Sequence, residues 1–303
     1  MTIFDKLDIT PRPDRSVVQH VKSFAGESEA TLNDIEWLVQ EKFDGLYCII
    51  LVQDDVTFYS KTGNEFKNLD NITSRKSFSH NGVFLAEVYN EGLGTHKLGG
   101  LIKSTRTKPL TEEEVVLLED TEFHVFDILS IDEFKQGYSP RSYFQRYRTI
   151  CRGLKVQSVV FKIETERLSF RDAEILRTEI VLREGEGIVL YNPDADWVAG
   201  RKNKCVLKQV PFVHLDLEAT ELIEGKGKFK GTLGKIMFKW SNDETIPIGL
   251  GKGWTDEERA KLWKEGLGKN KIFHIYAMKV STNGKLRQPK VAEIRIDKFH
   301  SDI

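Results

Sequence analysis

A lysine attacks a phosphorus centre only as the free amine, and an unperturbed side-chain pKa of about 10.4 makes that form rare at neutral pH. Lys42 stands in the run Gln40-Glu41-Lys42-Phe43-Asp44-Gly45. A nucleophile there needs a setting that depresses its pKa, and burial or a nearby cation such as a metal ion or Lys208 acts in that direction. In an extended run, Asp44 faces the same side as Lys42 and serves as its counterweight, while Gly45 lets the backbone approach closely. K-x-D-G alone is weak evidence. Its bland reading is a solvated charge at the start of the strand Leu46-Tyr47-Cys48-Ile49-Ile50-Leu51-Val52.

Further pieces follow in order. Phe84-Leu85-Ala86-Glu87-Val88 sets a carboxylate in an apolar run, and Phe123-His124-Val125-Phe126-Asp127-Ile128-Leu129 sets an aromatic before an acid. Glu186-Gly187-Ile188-Val189-Leu190 comes next, then Lys208 at the end of a lysine-bearing segment that includes Lys202 and Lys204. Leu286-Arg287-Gln288-Pro289 and Glu293-Ile294-Arg295-Ile296-Asp297-Lys298 close the series. Beyond residue 40 nearly the whole chain resembles the covalent nucleotidyltransferases, and most closely the small, two-domain ATP-dependent DNA ligases of viral or phage type.

The resemblance implies ATP as AMP donor, magnesium (with manganese as an alternative) and nicked duplex DNA as partner. It implies Lys42, Asp44 and Lys208 as the catalytic group, with Asp44 placing the ribose or the lysine itself. Gln40, Glu41, Lys42, Glu87, Phe126, Glu186, Lys208, Arg287, Arg295 and Lys298 would hold the nucleotide. Within that set, Gln40 would meet the adenine amino group, where the family commonly has glutamate, and its amide could both donate and accept. Phe126 would stack on adenine, and Glu87 and Glu186 would serve the ribose and the metal, whose preference is for oxygen ligands. Lys208 would neutralise the α-phosphate, while Arg287, Arg295, Asp297 and Lys298 would orient the leaving pyrophosphate.

The family pattern is not matched throughout. Tyr47 replaces an arginine expected to contact the nick, and Lys61 replaces another, keeping the charge but losing the bidentate fork. Val210 stands where a second lysine is usual, and Lys204 or Lys202 would share a strand face with Lys208 and compensate. Tyr47, Lys61, Lys204, Lys226, Lys228 and Lys230 are therefore the expected DNA contacts. Some small viral ligases insert a long clamp between early barrel strands, whereas residues 224–231 here are too short to encircle a duplex. Alternatives of related chemistry are an RNA ligase and a capping-type guanylyltransferase; a catalytically inactive DNA-binding relative is the alternative of another class.

These residues need a scaffold. Short apolar runs at 46–52, 83–89, 123–129, 159–163 and 187–191, bounded by turn formers, predict buried strands. Helices are expected over 140–152 and 171–183, with an acidic first turn at Thr111-Glu112-Glu113-Glu114 and a further helix over 16–24. After Lys208 the texture changes to half-exposed alternation at 215–222, 235–240, 246–249 and 273–278, with a helix capped by Thr255 and Glu258. The expected fold is α+β: a nucleotidyltransferase (adenylation, ATP-grasp-like) domain over 1–210, of antiparallel sheets packed by helices, and a C-terminal OB-fold β-barrel over 211–303.

The chain has 303 residues, 40% hydrophobic and 30% charged, enough for two compact domains. A run of about eighteen apolar residues, the minimum for a bilayer span, is missing, and the first residues do not look like a secretory signal. Three widely spaced cysteines argue against a disulfide framework, so a reducing cytoplasm (the host's, if viral) and a monomer without membrane partner are expected. The net charge of −1 hides an asymmetry. Residues 1–207 hold 27 Lys and Arg against 33 Asp and Glu, and residues 208–303 hold 18 against 13. A basic final third fits a module that grips a polyanion.

Overall fold

The computed structural model describes the chain apart from residues 14–15, 24–31, 74, 155–158, 201–203, 242–243, 252, 267 and 281–283. The chain divides into two compact units, Met1–Val210 and Pro211–Ile303.

Two five-stranded sheets build the first unit. One has the order Val56–Ser60, Leu46–Val52, Gly82–Tyr89, Glu122–Leu129, Val160–Lys162. The other runs Lys22–Ser23, Val206–Gln209, Ile188–Tyr191, Trp37–Glu41, Thr165–Leu168. Pairing is antiparallel except at Lys22–Ser23 with Val206–Gln209 and at Glu122–Leu129 with Val160–Lys162. Alternation along each strand decides what each face buries. In the first sheet Cys48, Ile50, Val52, Phe84, Ala86 and Val88 pack under the helices Gly94–Ile102 and Glu112–Glu119. Ile49, Leu51, Val83 and Leu85 point the other way, toward the short helix Ile3–Leu7. In the second sheet Trp37, Val39, Ile188, Leu190 and Leu207 cover the helix Phe170–Leu182, and Leu38, Val189, Tyr191 and Val206 face back toward the first sheet.

Helix starts follow local chemistry. Reciprocal capping boxes at Thr111 with Glu114, Ser142 with Gln145 and Thr255 with Glu258 satisfy otherwise orphaned amides, each contributing roughly 1 kcal/mol. The helix expected over 16–24 does not form. Its described residues carry no helix, and Lys22–Ser23 extends the second sheet by pairing with Leu207 and Lys208. Sheet-edge hydrogen bonding outweighs helical periodicity there; Phe24 lies outside the described residues.

The second unit is a closed barrel of Val213–Glu224, Leu233–Lys239, Thr245–Leu250, Lys290–Ile294 and Ile272–Ala277. Leu217, Ile236, Phe238, Ile248, Phe273, Ile275 and Val291 fill it, and Leu262 of the helix Asp256–Glu265 joins that core. Parallel pairing of Gly249 and Leu250 with Lys290 and Val291 closes the ring of five strands. Among the described residues no helix is long and apolar enough to cross a membrane.

Candidate nucleotide-binding cleft

The candidate cleft lies where the two sheets of the first unit face each other, with Phe126 of the first packed among Leu38, Val189 and Tyr191 of the second. Register carries one row of side chains across its wall: Thr165 pairs with Gln40, Gln40 with Val189, and Val189 with Lys208. Directly paired residues share a face, and neighbouring strands lie about 4.8 Å apart. Gln40 and Lys208, two strands apart, are thus about 10 Å apart along this row. Lys42 follows Gln40 by two residues, and its amide donates to the Gly187 carbonyl at 2.8 Å.

Lys42 does not sit in a strand. Residues 42–45 form a bend between Trp37–Glu41 and Leu46–Val52, so the expectation that Asp44 shares a strand face with it is corrected. The Thr95 hydroxyl instead donates to the Asp44 carbonyl oxygen at 2.9 Å and to its carboxylate at 3.2 Å. Nζ of Lys42 is 2.7 Å from Oε2 of Glu186, whose side chain is 7% exposed. The candidate nucleophile thus has a carboxylate beside it, and its Nζ also donates to the Phe43 carbonyl at 3.3 Å.

Glycines bring the second carboxylate in. A Cβ on Gly45 would stand 2.4 Å from the Val88 carbonyl oxygen and 2.7 Å from Cγ of Glu87, so only glycine fits the turn after Lys42. Gly187 has φ +126, and a Cβ there would meet the Gln209 carbonyl oxygen at 2.3 Å. Burial pushes the Glu87 carboxyl up to about 7. The Glu186 and Asp44 charges add to this, while Lys42 and the Gly45 amide oppose it.

Phe126 owes its position to a bulge. Leu85 pairs with Asp127 and Ala86 with Val125, leaving Phe126 unpaired between them. Such a bulge re-aims side chains. Phe126 packs against Tyr47 edge-on at 5.4 Å, and Asp127 turns to a buried bidentate pair with Arg146, at 2.8 and 3.0 Å. Tyr47 is thus a half-buried cleft residue opposite Glu87, and burial raises its phenol pKa well above the ordinary value.

Gln40 is 1% exposed; its amide donates to the Tyr143 hydroxyl at 2.9 Å and to the Thr165 hydroxyl at 2.8 Å. Glu41 points the other way and pairs with Arg183. It lines a separate cavity of about 400 Å³ with Phe43, His124 and Lys162, away from the face bearing Gln40. The structure thus gathers Gln40, Lys42, Glu87, Phe126, Glu186 and Lys208 around one cleft and leaves Glu41 behind its wall. Tyr143, Thr165 and Arg146, which support that cleft, escaped the sequence reading because nothing in their local pattern marks them.

Among the described residues no three His, Cys, Asp or Glu side chains cluster as a complete metal cage. Glu87 and Glu186 nonetheless suit a magnesium ion that takes its remaining ligands from phosphate and water. Burial, the chief cause of the raised Glu87 pKa, and the Glu186 charge both disfavour the ionised carboxylate, which a bound cation would favour.

The remaining candidates lie elsewhere. Lys61 is exposed on the turn closed by the Gly63 amide and Ser60 carbonyl, and Lys204 is exposed in the turn preceding Val206–Gln209 rather than on that strand. Lys202 lies outside the described residues. Lys226, Lys228 and Lys230 are exposed around the short turn Gly227–Phe229, where Lys228 and Arg259 stand 4.6 and 4.7 Å from the Phe229 ring centre. In the second unit Arg287 pairs with Lys279 in a two-stranded ribbon. Arg295 binds Asp297 at 2.7 and 2.9 Å and Asp216 at 2.9 Å, and Lys298 also binds Asp216. Nδ1 of His274 donates to the same carboxylate at 2.9 Å.

Residues 224–295 match the family model of the DNA ligase OB-like domain. The chain is 33% identical over 141 residues to a DNA ligase of Methanococcus maripaludis strain C7, covering 39% of this chain and 25% of that one. It is 29% identical over 255 residues to a DNA ligase of Halobacterium salinarum, covering 75% and 43%. The matches therefore span between a quarter and under half the length of these curated relatives. A solved Lig E DNA ligase superposes with a TM-score of 0.70 at 17% identity, covering 92% of this chain and 98% of that one. The ATP-dependent DNA ligase from bacteriophage T7, in complex with ATP, gives 0.54 at 14%, with the same coverage. The chain has the DNA ligase fold, a nucleotidyltransferase α+β unit followed by an OB-type barrel.

Proposed function

We propose that the chain is an ATP-dependent DNA ligase that seals 5′-phosphate/3′-hydroxyl nicks in duplex DNA. The observation that carries this reading is the Lys42 amine, 2.7 Å from Glu186 on the cleft wall that also presents Gln40 and Lys208. In the first step the Lys42 nitrogen bonds to the α-phosphorus of ATP while the bond to the β-phosphate breaks and pyrophosphate leaves. Glu186 is within hydrogen-bonding reach to take the ammonium proton. The AMP then passes from Lys42 to the 5′-phosphate of the nick. Finally the 3′-hydroxyl attacks that phosphorus, and AMP departs.

Phe126 would stack on the base, and Lys208 would balance charge on the α-phosphate. Glu87 and Glu186 would hold magnesium, which supplies charge neutralisation at the phosphates. Arg287, Arg295 and Lys298 would bind the pyrophosphate end. Tyr47, Lys61, Lys204 and the lysines of 226–230 would meet the DNA. Positioning and electrostatics supply most of the acceleration in such transfers.

The test is incubation with α-labelled ATP and magnesium, followed by a nick sealing assay. Wild type should carry covalent AMP, and Lys42→Ala should carry none while still sealing some pre-adenylated nicks. Normal labelling of Lys42→Ala would remove Lys42 from the mechanism, and labelling by GTP in place of ATP would favour a capping-type guanylyltransferase.

A further inference from the structure

Gln40 could in principle offer a base either end of its amide, a donor or an acceptor. Its neighbours remove that choice. The Tyr143 hydroxyl has one proton and donates it to the Phe126 carbonyl at 2.7 Å, so toward Gln40 it can only accept. The Thr165 hydroxyl likewise donates to the Ile163 carbonyl at 3.2 Å and can only accept from Gln40. Both acceptors, at 2.9 and 2.8 Å, therefore demand the NH2 end of the side chain. The carbonyl oxygen is left without a hydrogen-bond partner among the described residues, on a side chain that shares the cleft face of Lys208.

We propose that Tyr143 and Thr165 are positioning residues that lock the Gln40 amide with its oxygen toward the nucleotide, so that the cleft selects a purine carrying an amino group at C6 over one carrying a carbonyl there. This deepens, and rests on, the reading of the cleft as a nucleotide site. An adenine amino group would donate to the fixed oxygen. Guanine would set its own C6 oxygen against it, and a buried acceptor facing an acceptor leaves both unsatisfied. The Tyr143 ring is held in place, stacked on Tyr191 at 4.0 Å and 1% exposed. The lock also ties base recognition to the Phe126 bulge, since the carbonyl that takes the Tyr143 proton belongs to the expected stacking residue.

The experiment measures kcat/KM for lysyl-nucleotide formation with ATP and with GTP in wild type, Tyr143→Phe, Thr165→Val and the double variant. Loss of both acceptors frees the amide to rotate and donate to the guanine oxygen. The ATP-to-GTP ratio should fall about tenfold or more in the double variant, chiefly by gain with GTP, and by less in each single variant. Gln40→Glu in the double-variant background should restore the ratio, because a carboxylate accepts from either oxygen and needs no orientation. A purely structural role would lower both rates together. An unchanged ratio in the double variant, or failure of Gln40→Glu to restore it, would overturn the proposal. Should Tyr143→Phe not fold, Thr165→Val decides alone, with an unchanged ratio counting against the lock. A wild type that forms no lysyl-nucleotide with either substrate would defeat the nucleotide reading itself, and equal use of both would defeat only the lock.

Discussion

Asp127→Asn should unfold the first unit at a markedly lower temperature, although Asp127 touches no expected substrate. Its carboxylate grips Nε and an NH2 nitrogen of Arg146 at 2.8 and 3.0 Å, and takes the Ile128 amide at 2.8 Å. Arg146 is 1% exposed and Asp127 3%, so solvent screens little of the pair. Removing one partner of a buried pair costs about 3–5 kcal/mol, because the other charge stays buried without its counter-charge. The asparagine oxygen can still accept one bond, and the Arg141 and Ala195 carbonyls remain on the guanidinium, which favours the lower end, about 3 kcal/mol. At about 2–4 °C per kcal/mol for a unit of this size, the midpoint should fall by about 6–12 °C. Differential scanning calorimetry at pH 7 measures it. Replacing both partners, as Asp127→Leu with Arg146→Met, should recover most of the loss. A fall below about 2 °C in Asp127→Asn, or a double variant no better than the single, would refute the assignment of the cost to an uncompensated buried charge. Because the pair anchors the bulge that aims Phe126, the single variant should also raise KM for ATP more than it lowers kcat.

Glu87→Gln tests the cleft electrostatics. A carboxyl held at about 7 in the folded state binds more protons than the unfolded chain between its ordinary 4.5 and 7, so its contribution to stability is lost as pH rises through that window. The ceiling is about 3 kcal/mol and, with the side chain bordering the cleft, about 1–2 is expected. Urea midpoints at pH 5 and 8 should show the variant gaining on wild type at the higher pH, and a pH-independent difference would contradict the assigned shift. In the barrel, Asp216→Asn removes the shared partner of Arg295, Lys298 and His274 and should cost about 1–3 kcal/mol, discounted because both cations are partly exposed. Thermal unfolding checks it; an unchanged midpoint would mean the network is ornamental to stability. Changing Lys226, Lys228 and Lys230 together to glutamine should weaken nicked-duplex binding and flatten log affinity against log salt by roughly 0.9 for each true phosphate contact. Anisotropy titrations over a salt series that matched wild type would place the contacts elsewhere, and lysyl-AMP formation should stay near normal.

What the sequence disclosed and what it withheld divide along the range of the interactions. Strands such as Leu46–Val52 and Glu122–Leu129 were legible because their apolar runs must be buried whatever they pack against. Capped helices were legible because Thr111 with Glu114, and Thr255 with Glu258, satisfy orphan amides within four residues. The segment 16–24 misled because its helical pattern competes with a sheet edge supplied by residues nearly two hundred positions later, Leu207 and Lys208. Asp44 misled for a related reason: the close approach that Gly45 permits to Val88 bends the chain after Lys42, and a bend breaks strand alternation.

The supporting residues of the site were illegible for a stronger reason than distance. Tyr143 and Thr165 act on Gln40 through the direction in which each hydroxyl donates its single proton, to the Phe126 and Ile163 carbonyls, and that direction exists only once all of them are placed. A motif can indicate which side chain faces a ligand, because residue type and spacing are written in the chain. Which end of an amide it presents is decided by neighbours 103 and 125 positions away. Specificity between two purines whose C6 groups are a donor in one and an acceptor in the other would then be carried by residues that never touch the base. A search for selectivity confined to the nucleotide's own contacts would find Gln40 and miss what makes it selective.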